Sequence, residues 1–209
     1  MNKLDSKKIL HYLIKNADNF SFSQIKEITI VKKNKYFRYM DNKEVVSNII
    51  TYYLQDSIEN LDLNKARLKK ISSITAKIKH LLIFRLQQDL KIIIFVKKVF
   101  IYLITQGLFT NILDYFFRIS NQMWNLAGDN STDLNYYSKR LILTIVYLKI
   151  FIKLISSANY SEENIEIDVN SELLKVKKFN DLKSKISLEE ITNILKRFKT
   201  DSRPKGRGF

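Results

Sequence analysis

Asp129, Ser131 and Asp133 alternate in the stretch DNSTD, and side-chain oxygens at alternate positions are how a calcium-binding loop begins. Continued along the chain, that loop needs a glycine where Leu134 stands and a closing bidentate glutamate where Arg140 stands. A guanidinium in place of that carboxylate repels the ion, so calcium chemistry is excluded. Neither histidine, His11 or His80, has a carboxylate or a second histidine at a metal-ligand spacing on its own helix. Cysteine is absent, which removes thiolate zinc sites and disulfides together. No phosphate-cradling glycine loop, dinucleotide fingerprint or nucleophile elbow is present. The residues nominate no catalytic group, no metal ligand and no resident cofactor.

The same stretch lies within MWNLAGDNSTDLNYYSKR, residues 123–140, a polar and turn-forming interruption between runs of Ile, Leu, Phe and Lys that holds the only tryptophan. Local rules predict that one helix ends near Leu126 and that Gly128 supplies a positive-φ cap. Ser131 or Thr132 then caps the next helix, with Asp133 in its first turn favoured by the helix dipole. Trp124 packs beneath. This explains the turn but not two adjacent tyrosines, Tyr136 and Tyr137, and Asn135 where the helix emerges.

One proline and four glycines in 209 residues leave few breakers, and apolar residues recur mostly at three and four, so the chain is predicted to be all-α. Helices are expected over 5–17, 22–29, 33–38, 43–58, 63–88, 90–105, 109–126, 133–156, 170–180 and 187–200. The length suits one core with a short appendage. Residues 92–104 and 141–155 are the most apolar runs, but Lys97 and Lys98 split the first and Lys149 and Lys153 the second. A spanning helix needs about 20 mostly apolar residues, and each central lysine costs about 2.5 to 3.5 kcal/mol. These are therefore expected as buried helices, with Lys149 and Lys153 four apart on one face that reaches water.

The formal charge of +15 suits nucleic acid or an anionic membrane surface. Ile, Asn and Lys are overused together, so part of that charge is expected on solvated faces. The opening MNKLDSKKIL lacks a signal or transit pattern, and a cytosolic chain is expected. The sequons at Asn130 and Asn159 are then chance matches.

Near the N-terminus, YFRYMDNKEVVSNII resembles the aromatic pair and Asp-x-Lys-Glu join that follow the recognition helix of TetR-type regulators. In a helix-turn-helix the second short helix enters the major groove. Lys32, Lys33 and Lys35 could meet phosphates, yet Ile30, Val31, Asn34, Tyr36 and Phe37 offer base edges only one amide. A degenerate helix-turn-helix without an operator is the expectation, and nucleic acid is not expected as a partner.

MWNLAGDNSTDLNYYSKR is itself similar to the signature of the ubiquinone (coenzyme Q) biosynthesis accessory lipid-binding family, often called coenzyme Q protein nine. That pattern reads Met-Trp, two variable positions, Ala-Gly-Asp, a polar residue, Ser-Thr-Asp, an apolar residue, Asn-Trp-Tyr, Ser or Thr, and two basic residues. Met123, Trp124, Ala127, Gly128, Asp129, Ser131, Thr132, Asp133, Asn135, Tyr137, Lys139 and Arg140 fit it. Tyr136 departs from it, standing where the pattern has Trp, and the loop ITQGLFTN carries Gly107 but none of the prolines relatives show there.

The resemblance implies a TetR-like bundle that binds an isoprenoid lipid and delivers it to the di-iron demethoxyubiquinone hydroxylase without catalysis of its own. It implies a hydroxylase-docking patch at Asp133, Asn135, Tyr136, Tyr137 and Arg140. A homodimer on the inner face of a bacterial cytoplasmic membrane is the expected setting. The domains are then 1–60, helix-turn-helix-like, 61–182, lipid-binding, and 183–209, an amphipathic helix with a basic tail. A TetR-type regulator induced by its core lipid is the alternative.

Helices apolar nearly all round fill a core or line a cavity. Phe95, Phe100, Phe109, Phe116, Phe117, Leu143, Tyr147 and Phe151 are the residues expected near a lipid tail. At the C-terminus, Ser187 and Glu190 form a capping box, and Ile191, Ile194, Leu195 and Phe198 make one apolar stripe beside Lys196 and Arg197. That combination suits a membrane interface, or else a helix docked on its own domain or on a second copy.

Overall fold

The computed structural model describes residues 3–185, and all of their regular structure is helical. The elements are α1 (Lys3–Lys15), α2 (Thr29–Lys32), α3 (Asn42–Glu59), α4 (Lys65–Leu68), α5 (Ile74–Lys91), α6 (Ile93–Thr105), α7 (Phe109–Ala127), α8 (Asp133–Ser156) and α9 (Glu162–Lys185). The first compact unit runs to Asn170, and a second begins at Ser171 within α9. Residues 187–200, expected as an amphipathic helix, lie outside the described residues, and so does most of the expected 183–209 domain.

Caps written in the sequence set several boundaries. Asp41 accepts from the Glu44 backbone N–H at 2.7 Å, and Glu44 accepts from the Asp41 N–H at 2.9 Å, which is a reciprocal capping box at the start of α3. Gly107 and Gly128, at φ of 70° and 84°, end α6 and α7. In both turns the glycine N–H and the next N–H return to carbonyls three and five residues back, as Schellman closures do.

Four expected helices differ in the structure. The span 63–88 breaks into α4 and α5 around residues 69–73, where Ser73 caps α5 by accepting from the Ala76 N–H at 3.4 Å. The span 170–180 starts earlier, at Glu162, because Ser161 accepts from the Asn164 N–H at 3.3 Å while Asn164 accepts from the Ser161 N–H at 2.9 Å. The spans 22–29 and 33–38 are mostly 3₁₀ turns, Phe22–Glu27 and Lys35–Phe37, on either side of the four-residue α2. Among the described residues, no helix is long and apolar enough to cross a membrane.

In the first unit α7 is the central helix, packed against α8 and touching α3, α5 and α6. Its buried stripe of Ile112, Tyr115, Phe116, Ile119 and Met123 meets Leu143, Tyr147, Ile150 and Phe151 from α8. Burying each such side chain contributes about 1.5 to 3 kcal/mol before entropy is subtracted. Lys149 and Lys153 of α8 reach solvent on one face as their spacing predicts, and Lys153 pairs with Asp168 at 2.6 Å.

An ionic nest interrupts this apolar interior. Arg85 and Asp89 of α5 pair while almost completely buried. Tyr147 donates to Asp89 Oδ2 at 2.8 Å, Tyr53 donates to Oδ1 at 3.3 Å, and Arg85 Nη2 reaches the Tyr115 hydroxyl at 3.3 Å. Burial pushes the Asp89 carboxyl above its usual range, against the pull of Arg85 and the two hydroxyls. Burial also pushes up the hydroxyls of Tyr53, Tyr115 and Tyr147, keeping them protonated donors.

Candidate functional site

The turn between α7 and α8 is built around one carboxylate. Asp129 follows the left-handed Gly128, and its side chain is only 3% exposed. Lys139 donates to its Oδ1 at 2.8 Å, while Ser131 and Arg140, the latter at 3.2 Å, donate to Oδ2. Burial opposes this charge, but the hydrogen bonds from Lys139, Ser131 and Arg140 outweigh it and hold the Asp129 carboxyl down at about 2. Both oxygens thus face protein cations, the electrostatic opposite of a calcium loop.

Arg140 is 1% exposed and clamps the turn from inside. Its Nε donates to Asn121 Oδ1 at 2.6 Å, its Nη1 to the Tyr136 carbonyl at 3.0 Å and its Nη2 to Asn125 Oδ1 at 3.3 Å. The expectation that Arg140 lies on a docking surface is corrected here: a guanidinium surrounded by these acceptors and by Asp129 is drawn inward. Tyr136 is half-buried beneath it, donating to Asn121 Oδ1 at 3.0 Å. The aromatic that stands at the pattern's Trp position therefore keeps a polar anchor.

The remaining signature residues take structural places. Met123 and Ala127 are buried against the core. Trp124 is half-buried, donating its indole N–H to the Lys139 carbonyl at 3.2 Å, with the Lys139 ammonium 5.4 Å from its ring centroid. Thr132 occupies the N-cap position, and α8 opens at Asp133. Outside this network stand Asn135, Tyr137 at 64% exposure and Leu134 at 85%.

Sequence reasoning missed Asn121 and Asn125, whose partners lie across the turn, and it missed Leu134. Exposed Leu134, Tyr137, Leu141, Ile145 and Ile152 recur at three, four and seven along α8. That outer stripe was masked by the buried one on the same helix, since α8 is apolar on both.

The proposed lipid-pocket residues divide. Phe95, Phe100, Phe116, Leu143, Tyr147 and Phe151 are buried, whereas Phe109 is exposed at the start of α7 and Phe117 is half-buried. Phe100, Phe116, Tyr147 and Phe151 form a contiguous aromatic cluster, with Phe100 and Phe151 centroids 4.5 Å apart and Phe116 and Tyr147 4.7 Å apart. The Ser131 hydroxyl donates to Asp129, but a carboxylate held down at about 2 is a weak base for activating a nucleophile. The turn can present a rigid outer face, which is chemistry of recognition.

The COQ9 family model matches residues 109–180, from the first residue of α7 through the turn and α8 into α9. No curated protein and no solved structure matches the chain. The segment that carries the Asp129–Arg140 turn is thus similar to the COQ9 family, over about a third of the chain.

Proposed function

We propose that this protein is a non-catalytic accessory factor that binds an isoprenoid quinone precursor and presents it to the di-iron demethoxyubiquinone hydroxylase. The COQ9 match supports the broader part, a role in ubiquinone biosynthesis. One observation carries the presenting role: Tyr137, Leu134 and Asn135 stand exposed on a turn whose internal polar groups are clamped by Asp129 and Arg140. A rigid aromatic anchor pays little ordering entropy on docking, and such anchors dominate interface energy. Asp133 and Tyr136 flank that anchor and complete the docking patch.

The aromatic core of Phe95, Phe100, Phe116 and Phe151 is the proposed place for the isoprenoid tail, which would part side chains that now pack on one another. The tail residues Ile191, Ile194, Leu195 and Phe198, with Lys196 and Arg197, are proposed to meet the inner face of a bacterial cytoplasmic membrane as the working homodimer docks. Native mass spectrometry with lipid extraction, on protein purified from a ubiquinone-producing host, tests the reading. Co-purified isoprenoid quinones or their precursors are expected. A lipid-free protein under gentle conditions would turn the case toward a regulator, with an operator search next.

A further inference from the structure

The break between α4 and α5 creates a surface that the helix periodicity hides. From Lys65 to Lys79 the chain carries Lys65, Arg67, Lys69, Lys70, Lys77 and Lys79 and not one Asp or Glu. This stretch is an out-and-back excursion closed at its base, where the His80 Nε2 and Asn64 Oδ1 atoms meet at 2.9 Å. Arg67, Lys69 and Lys70 are exposed, and two aliphatic side chains stand among the cations, Leu63 at 75% exposure and Ile74 at 41%. The adjacent carboxylate, Asp62, pairs with Lys65 at 2.7 Å and accepts from Gln122 at 2.8 Å, so it offsets one of the six cations and leaves five for the patch. The excursion abuts the signature turn: Lys77 donates to the Ala127 carbonyl at the end of α7, at 3.4 Å.

We infer that this α4–α5 corner is a second membrane-facing surface, one that seats on anionic lipid headgroups with Leu63 and Ile74 dipping into the interface. Charge complementarity sets the occupant, because the five cations beyond Lys65, without an intervening acid, match a sheet of phosphates. The aliphatic tips choose a bilayer over nucleic acid. Duplex or single-stranded recognition wants amides or aromatic platforms at the tips, and the nearest amide, Asn64, is buried and turned inward to the Leu61 carbonyl. The corner would hold the turn at Gly128 beside the bilayer, where an amphiphilic cargo is handed over. This rests on the membrane-peripheral reading above, but on residues remote in sequence from its terminal stripe.

The test uses the full chain and vesicles of phosphatidylcholine with or without phosphatidylglycerol. The Arg67→Gln/Lys69→Gln/Lys70→Gln variant removes exposed charges that hold no fold contact described above. At low salt its binding to anionic vesicles is expected to fall about fivefold per charge, on the order of a hundredfold in all, with helicity unchanged. Because the chain lacks cysteine, an Ile74→Cys variant carrying an environment-sensitive fluorophore reports insertion, and an Ile194→Cys variant reports the terminal stripe. A blue shift at position 74 supports the corner, whether or not position 194 responds. A shift at 194 alone, with the triple variant binding like the parent, sinks the corner and leaves the terminal stripe standing. A triple variant that loses only duplex nucleic-acid binding overturns the proposal in favour of that polymer.

Discussion

The Arg140 guanidinium carbon lies 3.4 Å from the centroid of the Tyr136 ring while the same guanidinium reaches Asp129. A cation is thereby sandwiched between a carboxylate and a π-face, and the first turn of α8 is fastened to the end of α7. Arg offers a planar face and a fork at once, and Lys does not.

Arg140→Ala should therefore cost about 3 to 5 kcal/mol, because it leaves Lys139 as the one cation on buried Asp129 and takes the guanidinium donor from Asn121, Asn125 and the Tyr136 carbonyl. Arg140→Lys should recover only part of that. Urea unfolding followed by circular dichroism measures both, and a cost below about 1 kcal/mol for the alanine variant would show that the clamp is dispensable.

Asp129 also makes a signed prediction about acid. Its folded pKa, about 2, lies below the ordinary value of 3.8, so the unfolded chain binds the proton more readily. The stabilisation is present in full above pH ~4 and is lost as pH falls from about 4 to about 2, amounting to about 2 kcal/mol. Asp129→Asn should unfold more easily at neutral pH and show a correspondingly flatter loss of stability across that window.

The nest of Arg85 and Asp89 should answer differently to single and double substitution. Asp89→Leu or Arg85→Met alone should cost about 3 to 5 kcal/mol, whereas Arg85→Met with Asp89→Leu should restore most of it. Tyr147→Phe removes one hydrogen bond to a charged acceptor and should cost about 1.5 to 3 kcal/mol. A double-mutant cycle in urea checks the coupling.

At the outer face, Tyr137→Ala should change stability by no more than about 0.5 kcal/mol, as its side chain is exposed. The proposed association with the hydroxylase should weaken by about 2 kcal/mol, roughly thirtyfold. A pull-down beside a thermal melt separates the two, and unchanged association would remove Tyr137 from the docking patch.

What could be read in advance was what depends on near neighbours. Gly128, the glycine with no alternative cap nearby, and the Asp41–Glu44 box announce helix ends within four residues of themselves. The span 63–88 was misread because Leu68, Ile71, Ile74 and Ile78 keep three-and-four spacing straight through the break. Ser73 stops the pattern without a glycine or a proline to mark it. Arg140 was expected on the docking patch, as a charge that flanks the two tyrosines and fixes register. Its burial depends on Asn121, Asn125 and Asp129, which converge only after the turn has folded the two helices together. The degenerate helix-turn-helix expected within 1–60 relied on likeness to a pattern, and over 22–37 the structure has 3₁₀ turns on either side of the four-residue α2.

The core nest has one more effect, on which arrangement of helices the chain selects. Ile, Leu and Phe side chains interchange readily, and a bundle made only of them could slide by a turn and still bury its grease. Tyr53 from α3, Arg85 and Asp89 from α5, Tyr115 from α7 and Tyr147 from α8 meet at one point. Any slippage of one of these four helices would leave a charge or hydroxyl facing hydrocarbon. The nest thus works as a key that fits one alignment, letting the surrounding side chains exchange places without loss of the fold's identity.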